Sequence, residues 1–124
     1  MSVEYGIISI GTMSQNRLWG ESAPVRTSHA TTTLVRDEGR TILVDPSLPG
    51  PMLQGRYSER TGGTLSDVTD VFCTTLRPVH RRGIGAFEEA NWWAAQAEIE
   101  TYRSHLMGLL DSAERLDADD VNAI

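Results

Sequence analysis

Alternating β-branched runs fill the front of the chain, and apolar residues at helical spacing fill its end. Glu4 to Ile10 is rich in isoleucine and includes Tyr5, which predicts a first strand stopping at Gly11. Residues 12–28 mix Gly, Ser, Pro and Asn and read as a loop, despite the apolar pair Leu18 and Trp19. Thr31 to Arg36 alternates and is β-branched, Asp37-Glu38-Gly39 is a turn, and Arg40 to Val44 is a further strand. Together they predict a β-hairpin in which Gly39 supplies the positive φ of the turn.

After Asp45, the stretch Pro46-Ser47-Leu48-Pro49-Gly50-Pro51 stops the strand and prepares a helix start at Pro51. Met52 to Arg60 is the expected helix, closed by Gly62 and Gly63. Ser66-Asp67-Val68-Thr69 has the pattern of a capped single turn. Val71 to Thr74 then reads as a short buried strand, Gly83 to Phe87 as a short helix or turn, and Asn91 to Trp93 as a brief strand. From Ala94, the positions Ala95, Ile99, Tyr102, Leu106 and Leu109 recur at helical spacing and predict an amphipathic helix to about Leu110. Residues 111–124 carry five acids and one arginine, a local charge of −4, and are expected to be a mobile tail. Strands come first and then alternate with helices, which is a mixed α/β order.

Composition narrows the function classes. At 124 residues the chain suits one domain, with 40% hydrophobic and 23% charged residues, as in ordinary globular proteins. A net charge of −6 and a pI near 4.9 argue against a general nucleic-acid surface. No apolar stretch is long enough for a bilayer, and the start MSVEYGIISIG lacks the basic opening of a secretory signal. The lone Cys73 sits in the apolar run Val71-Phe72-Cys73 and reads as a structural thiol. These features together predict a cytoplasmic protein with no membrane partner. Ser22, Ser28 and Ser47 lack a nucleophile elbow or a His/Asp pattern, which argues against a serine hydrolase.

The segment TTLRPVHRRG, residues 74–83, hangs from the end of the buried strand. In order and spacing, TTTLVRDEGRTILVDPSLPG, then LSDVTDVF, then this segment, GIGAF and AAQAEIE resemble the N-terminal half of the metallo-β-lactamase fold, over roughly residues 3–105. The resemblance implies half of an αββα sandwich, with a mixed β-sheet and flanking helices, over residues 1–110. It also implies a metal loop of the form Thr-His-x-His-x-Asp-His. On that pattern Thr75 stands for the first histidine, Arg77 for the second and Val79 for the aspartate; only His80 matches.

Threonine is a poor zinc ligand, valine has no donor, and Arg77 brings a permanent positive charge. A unit charge about 4 Å from a divalent ion costs on the order of several kcal/mol at an effective dielectric of about 20. The expectation is a chain without zinc, with Asp45 matching the family aspartate that supports the loop. A half sandwich also leaves one apolar sheet face open. Two copies cover each other, another chain supplies the missing half, or the 124 residues are a fragment.

Two readings of the loop follow. In the first, the chain is a catalytically inactive relative that binds or self-assembles. In the second, a rebuilt, metal-independent site uses His80 as general base and Arg77, Arg81 and Arg82 to hold an anionic substrate. These three guanidiniums lie within six residues, beside an expected helix start, and resemble an anion cradle. The plainer alternative pairs them with Glu88, Glu89 or a partner's carboxylates. His80 is expected to bond a backbone carbonyl or a carboxylate such as Asp45. His29 is either an exposed residue at the start of a strand or a neighbour of the loop. His105 has no assigned role. Of Trp92 and Trp93, one is expected in the core and the other at an interface, and Trp19 is a second interface candidate.

Overall fold

The computed structural model describes residues 2–113 and Asp119. Five strands form one mixed sheet in the order β1-β2-β3-β4-β5. They are β1 (Glu4–Ser9), β2 (Thr32–Asp37), β3 (Arg40–Val44), β4 (Asp70–Cys73) and β5 (Asn91–Ala94). The first three pair antiparallel, and β4 and β5 join parallel to β3. Two helices complete the fold: α1 (Gly50–Thr61) connects β3 to β4, and α2 (Gln96–Ser112) follows β5. This is the mixed arrangement expected from the order of patterns. Among the described residues, no helix is long and apolar enough to cross a membrane.

The β2–β3 turn is closed by Gly39 at φ +70°, a left-handed conformation that favours glycine. Helix α1 ends on Gly62, whose N–H donates to Ser58 O at 2.8 Å. The single turn before β4 spans Leu65–Asp67, and its cap lies upstream of the expected one. Thr64 N donates to Asp67 Oδ2 at 3.1 Å, so Thr64, and not Ser66, opens the turn. The region after the loop forms a four-residue 3-10 turn, Ile84–Phe87. Too short for a macrodipole, it offers the loop arginines no helix start to oppose.

Strand alternation sorts the side chains onto two faces. Leu34, Leu43 and Val71 share one face in direct register, and Ile8 and Cys73 join it. Against them α1 packs Leu53 and Tyr57, and the connections add Leu48, Leu65, Val68 and Phe87. This is the core. Tyr5, Val35 and Ile42 line up on the opposite face, as do Ile7, Val44, Phe72 and Trp93. No element covers that face among the described residues, and Tyr5, Ile7 and Trp93 are 81%, 44% and 52% exposed.

Helix α2 runs two residues beyond the expected end, and its apolar positions recur as predicted, yet none of its residues is buried. Residues 114–118 and 120–124 of the expected tail lie outside the described residues. Neither adjacent tryptophan is the core residue that was expected. Trp92 and Trp93 point to opposite faces, but β5 is an edge strand, so each stays about half exposed. Their indole N–H groups are used: Trp92 donates to Phe87 O and Trp93 to Asp70 Oδ1, both at 2.8 Å.

Candidate functional site

The site region is built around Asp45, at the end of β3. Its backbone turns left-handed, with φ 55°, the one positive φ outside glycine among the described residues. Aspartate tolerates this conformation better than most side chains, and the surrounding bonds hold it there. Asp45 N donates to Phe72 O at 2.9 Å, and Thr32 Oγ1 donates to Asp45 O at 2.6 Å. The buried carboxylate accepts from Thr74 N at 2.8 Å and from Thr74 Oγ1 at 2.6 Å. Its Oδ2 also lies 3.1 Å from His80 Nδ1. A carboxylate only accepts, so Nδ1 carries the proton and Nε2 is the basic nitrogen of the ring.

Ser47 is the second pin of this corner. It is fully buried; its hydroxyl accepts from Ala30 N at 2.7 Å and donates to Val79 O. One side chain thus ties the start of β2 to the loop. Gly83 fixes the far end of the loop: its N–H donates to Pro46 O at 2.8 Å, and a Cβ there would collide with Leu48 O. Only glycine allows that approach.

Of the loop arginines, Arg77 and Arg81 border one cavity and Arg82 faces another. Arg81 Nε donates to Leu76 O at 2.8 Å and its Nη2 to Tyr102 Oη at 3.0 Å, with the guanidinium 5.3 Å from the Tyr102 ring centre. Arg82 Nη1 donates to Ser28 O at 3.0 Å and to Ser47 O at 3.4 Å. Backbone carbonyls and Tyr102, not Glu88 or Glu89, are therefore the partners of Arg81 and Arg82 among the described residues. Glu88 and Glu89 line a separate cleft with Gln54 and Ser66. Arg77 is exposed.

The four loop positions that stand for metal ligands face two different spaces. Val79 and His80 line a cavity of about 380 Å³ together with His29 and Ala30. Thr75 and Arg77 line another, of about 510 Å³, formed with α2 and including Glu98 and His105. Glu98, which sequence reasoning missed, accepts from Thr75 Oγ1 and Leu76 N, each at 3.4 Å. Its only signal was a carboxylate in the first turn of a helix, too common to single out. His29 is half-buried and pairs its backbone with Thr12, which brings it beside the loop. Among the described residues, no three His, Cys, Asp or Glu side chains converge as a metal site would require. Ser22 and Trp19 are exposed, and Trp19 has Arg26 5.4 Å over its ring.

Both titrating groups of β4 are shifted. Hydrogen bonds from Arg40, Thr69 and Trp93 hold the Asp70 carboxyl down at about 2. Burial, reinforced by the Asp45 charge, pushes the Cys73 thiol up to about 11, so it remains protonated and inert.

No protein-family model matches the sequence, and no curated protein matches it. Among solved structures, the chain is similar to a protein of Thermotoga maritima described as a "putative metallo-beta-lactamase". The two share 24% identity and a TM-score of 0.59, over 82% of this chain and 45% of the other. The chain thus spans about half the length of that structure. With a mixed five-stranded sheet, α1 on one face and a loop leaving β4 beside Asp45, the chain has the fold of the N-terminal half of a metallo-β-lactamase.

Proposed function

We propose that this chain is a non-hydrolytic binding or self-assembling module on half of a metallo-β-lactamase fold. The observation that carries this reading is the donor set of the loop. His80 alone among Thr75, Arg77, Val79 and His80 offers a ligand atom suited to zinc, and the four positions divide between two cavities. Asp45, the nearest carboxylate, is occupied by Thr74 and His80. This donor set does not fit a dinuclear zinc centre, and no step through a metal is derived for it. The open apolar sheet face and the uncovered α2 support association, with a second copy or with a chain that carries the other half as the covering layer.

Metal analysis after zinc loading tests the reading, together with solution mass. The expected outcome is no stoichiometric zinc and a particle larger than one chain. Stoichiometric zinc accompanied by hydrolysis of a thioester or phosphodiester would overturn it.

A second reading draws on one specific contact. The Asp45–His80 pair orients the imidazole as a general base would require, with the basic Nε2 left for chemistry. In that reading a metal-independent hydrolase uses His80 as base, and Arg77 is the loop arginine with no recorded side-chain bond among the described residues. Arg77→Ala abolishing turnover of an anionic ester would favour it, and unchanged turnover would remove it.

A further inference from the structure

Arginines also converge on this molecule in a cleft that Arg82 alone of the loop arginines borders. A cleft of about 610 Å³ runs between the end of β1 and the outer side of α1, and its lining includes Arg26, Arg56, Arg60 and Arg82. Among the described residues no carboxylate lines it. Two carboxylates of the described residues approach these four guanidiniums: Glu21 pairs with Arg26, and Glu59 lies 3.6 Å from Arg56. A locally positive cleft on a chain of net charge −6 runs against the charge of the whole.

The arginines are of two kinds. Arg26 and Arg82 are anchored: Arg26 by Glu21 and by Met13 O at 3.0 Å, Arg82 by the carbonyls of Ser28 and Ser47. Arg56 and Arg60 are exposed and stand one helical turn apart on α1, in a stripe with Met52. Arg60 has no carboxylate partner among the described residues. The first turn of α1, which contains no acid, borders the same cleft and adds the positive end of its dipole. The floor between these charges is apolar, made by Ile8, Ile10, Leu48 and Met52.

The geometry points to a binding site for a small organic anion, with a phosphate or carboxylate head on the guanidiniums and an apolar body on that floor. The planar fork of arginine suits both head groups, and the volume lies within the range of small-molecule pockets, about 300–1,000 Å³. The cleft is on the α1 side of the sheet, so its occupancy is independent of whatever covers the opposite face.

A backbone amide NMR titration with 2-naphthyl phosphate tests the site, run beside 2-naphthol and inorganic phosphate. Saturable shifts are expected at residues 8–12 and 52–60 with the naphthyl phosphate. The two partial probes should bind at least about tenfold more weakly, because each makes only half of the contacts. The double change Arg56→Gln and Arg60→Gln preserves helix propensity and should weaken binding at least about tenfold. Arg103→Gln, on exposed α2, should leave it unchanged. The same spectra report whether each variant is folded. Absence of saturation, shifts confined to the open sheet face and α2, equal binding of either partial probe, or indifference to the double change would each overturn the assignment.

Discussion

The two faces of the sheet are built from similar residues and end in opposite states. One carries Leu34, Leu43 and Val71 beneath Leu53 and Tyr57 of α1, with Leu43, Leu53, Tyr57 and Val71 fully buried. The other carries Val35, Ile42, Val44, Phe72 and Trp93 with nothing above them among the described residues. Hydrophobic stabilisation scales with area removed from water, so only the first face holds the isolated chain together. The second is largely apolar, interrupted by Thr33, Asp70 and Asn91, and lies open. An open apolar face of this kind is what the proposed association would cover.

Substitutions on the two faces should therefore differ sharply, which is the most direct way to break the comparison. Leu53→Ala should destabilise by about 2–5 kcal/mol in urea unfolding, since it removes a fully buried side chain and leaves a cavity. Ile7→Ala, on the open face, should change a single chain's stability by less than about 1 kcal/mol. Instead it should reduce any concentration-dependent particle mass. Equal losses at both positions would mean that the open face is already covered in solution.

A smaller effect sharpens the contrast at the corner between the faces. Asp45→Ala deprives Thr74 N and His80 of their acceptor and should cost about 1–3 kcal/mol by the same measurement. Loss of the left-handed tolerance of aspartate adds to it.

Weaker again is the polar cluster on the open face. The Asp70 carboxyl is held at about 2, below its ordinary value, by Arg40, Thr69 and Trp93. A group with a depressed folded pKa contributes stability above its unfolded pKa of about 3.9 and loses it as pH falls toward the folded value. Stability should therefore fall between about pH 4 and pH 2, and Arg40→Ala should make that slope shallower. An unchanged slope would show that Arg40, which is half exposed, contributes little. The smallest effect is expected at Cys73 on the covered face. Its thiol, pushed up to about 11, should resist a disulfide reagent at pH 8 until the protein is unfolded.

Much of the local structure was legible in residue order. Strand β3 was readable from its β-branched run, the hairpin from Gly39, and α1 from Pro51 and Gly62, because each rests on neighbours within a few positions. The misreadings were also local. The turn before β4 is capped by Thr64 because Asp67 reaches back to its amide, a reciprocal pair that the single motif at Ser66 did not reveal. Both tryptophans of β5 looked like alternating inside and outside residues, but an edge strand has no neighbour to bury the inner one fully. Spacing also placed three arginines together in the loop, whereas once the chain folds Arg82 parts from Arg77 and Arg81, which line one cavity.

Residue order alone thus determined the elements, the turn chemistry, the mixed arrangement and the poverty of zinc donors in the loop. All of these depend on residue type and short-range spacing. Tertiary structure alone decided that Asp45 also holds Thr74 by two bonds and that Thr75 and Val79 face different cavities. It also decided that four arginines from three segments border one cleft and that no residue of a helix with an apolar stripe is fully buried. Such juxtapositions arise from strand register and helix placement, and no stretch of a few residues encodes them by itself.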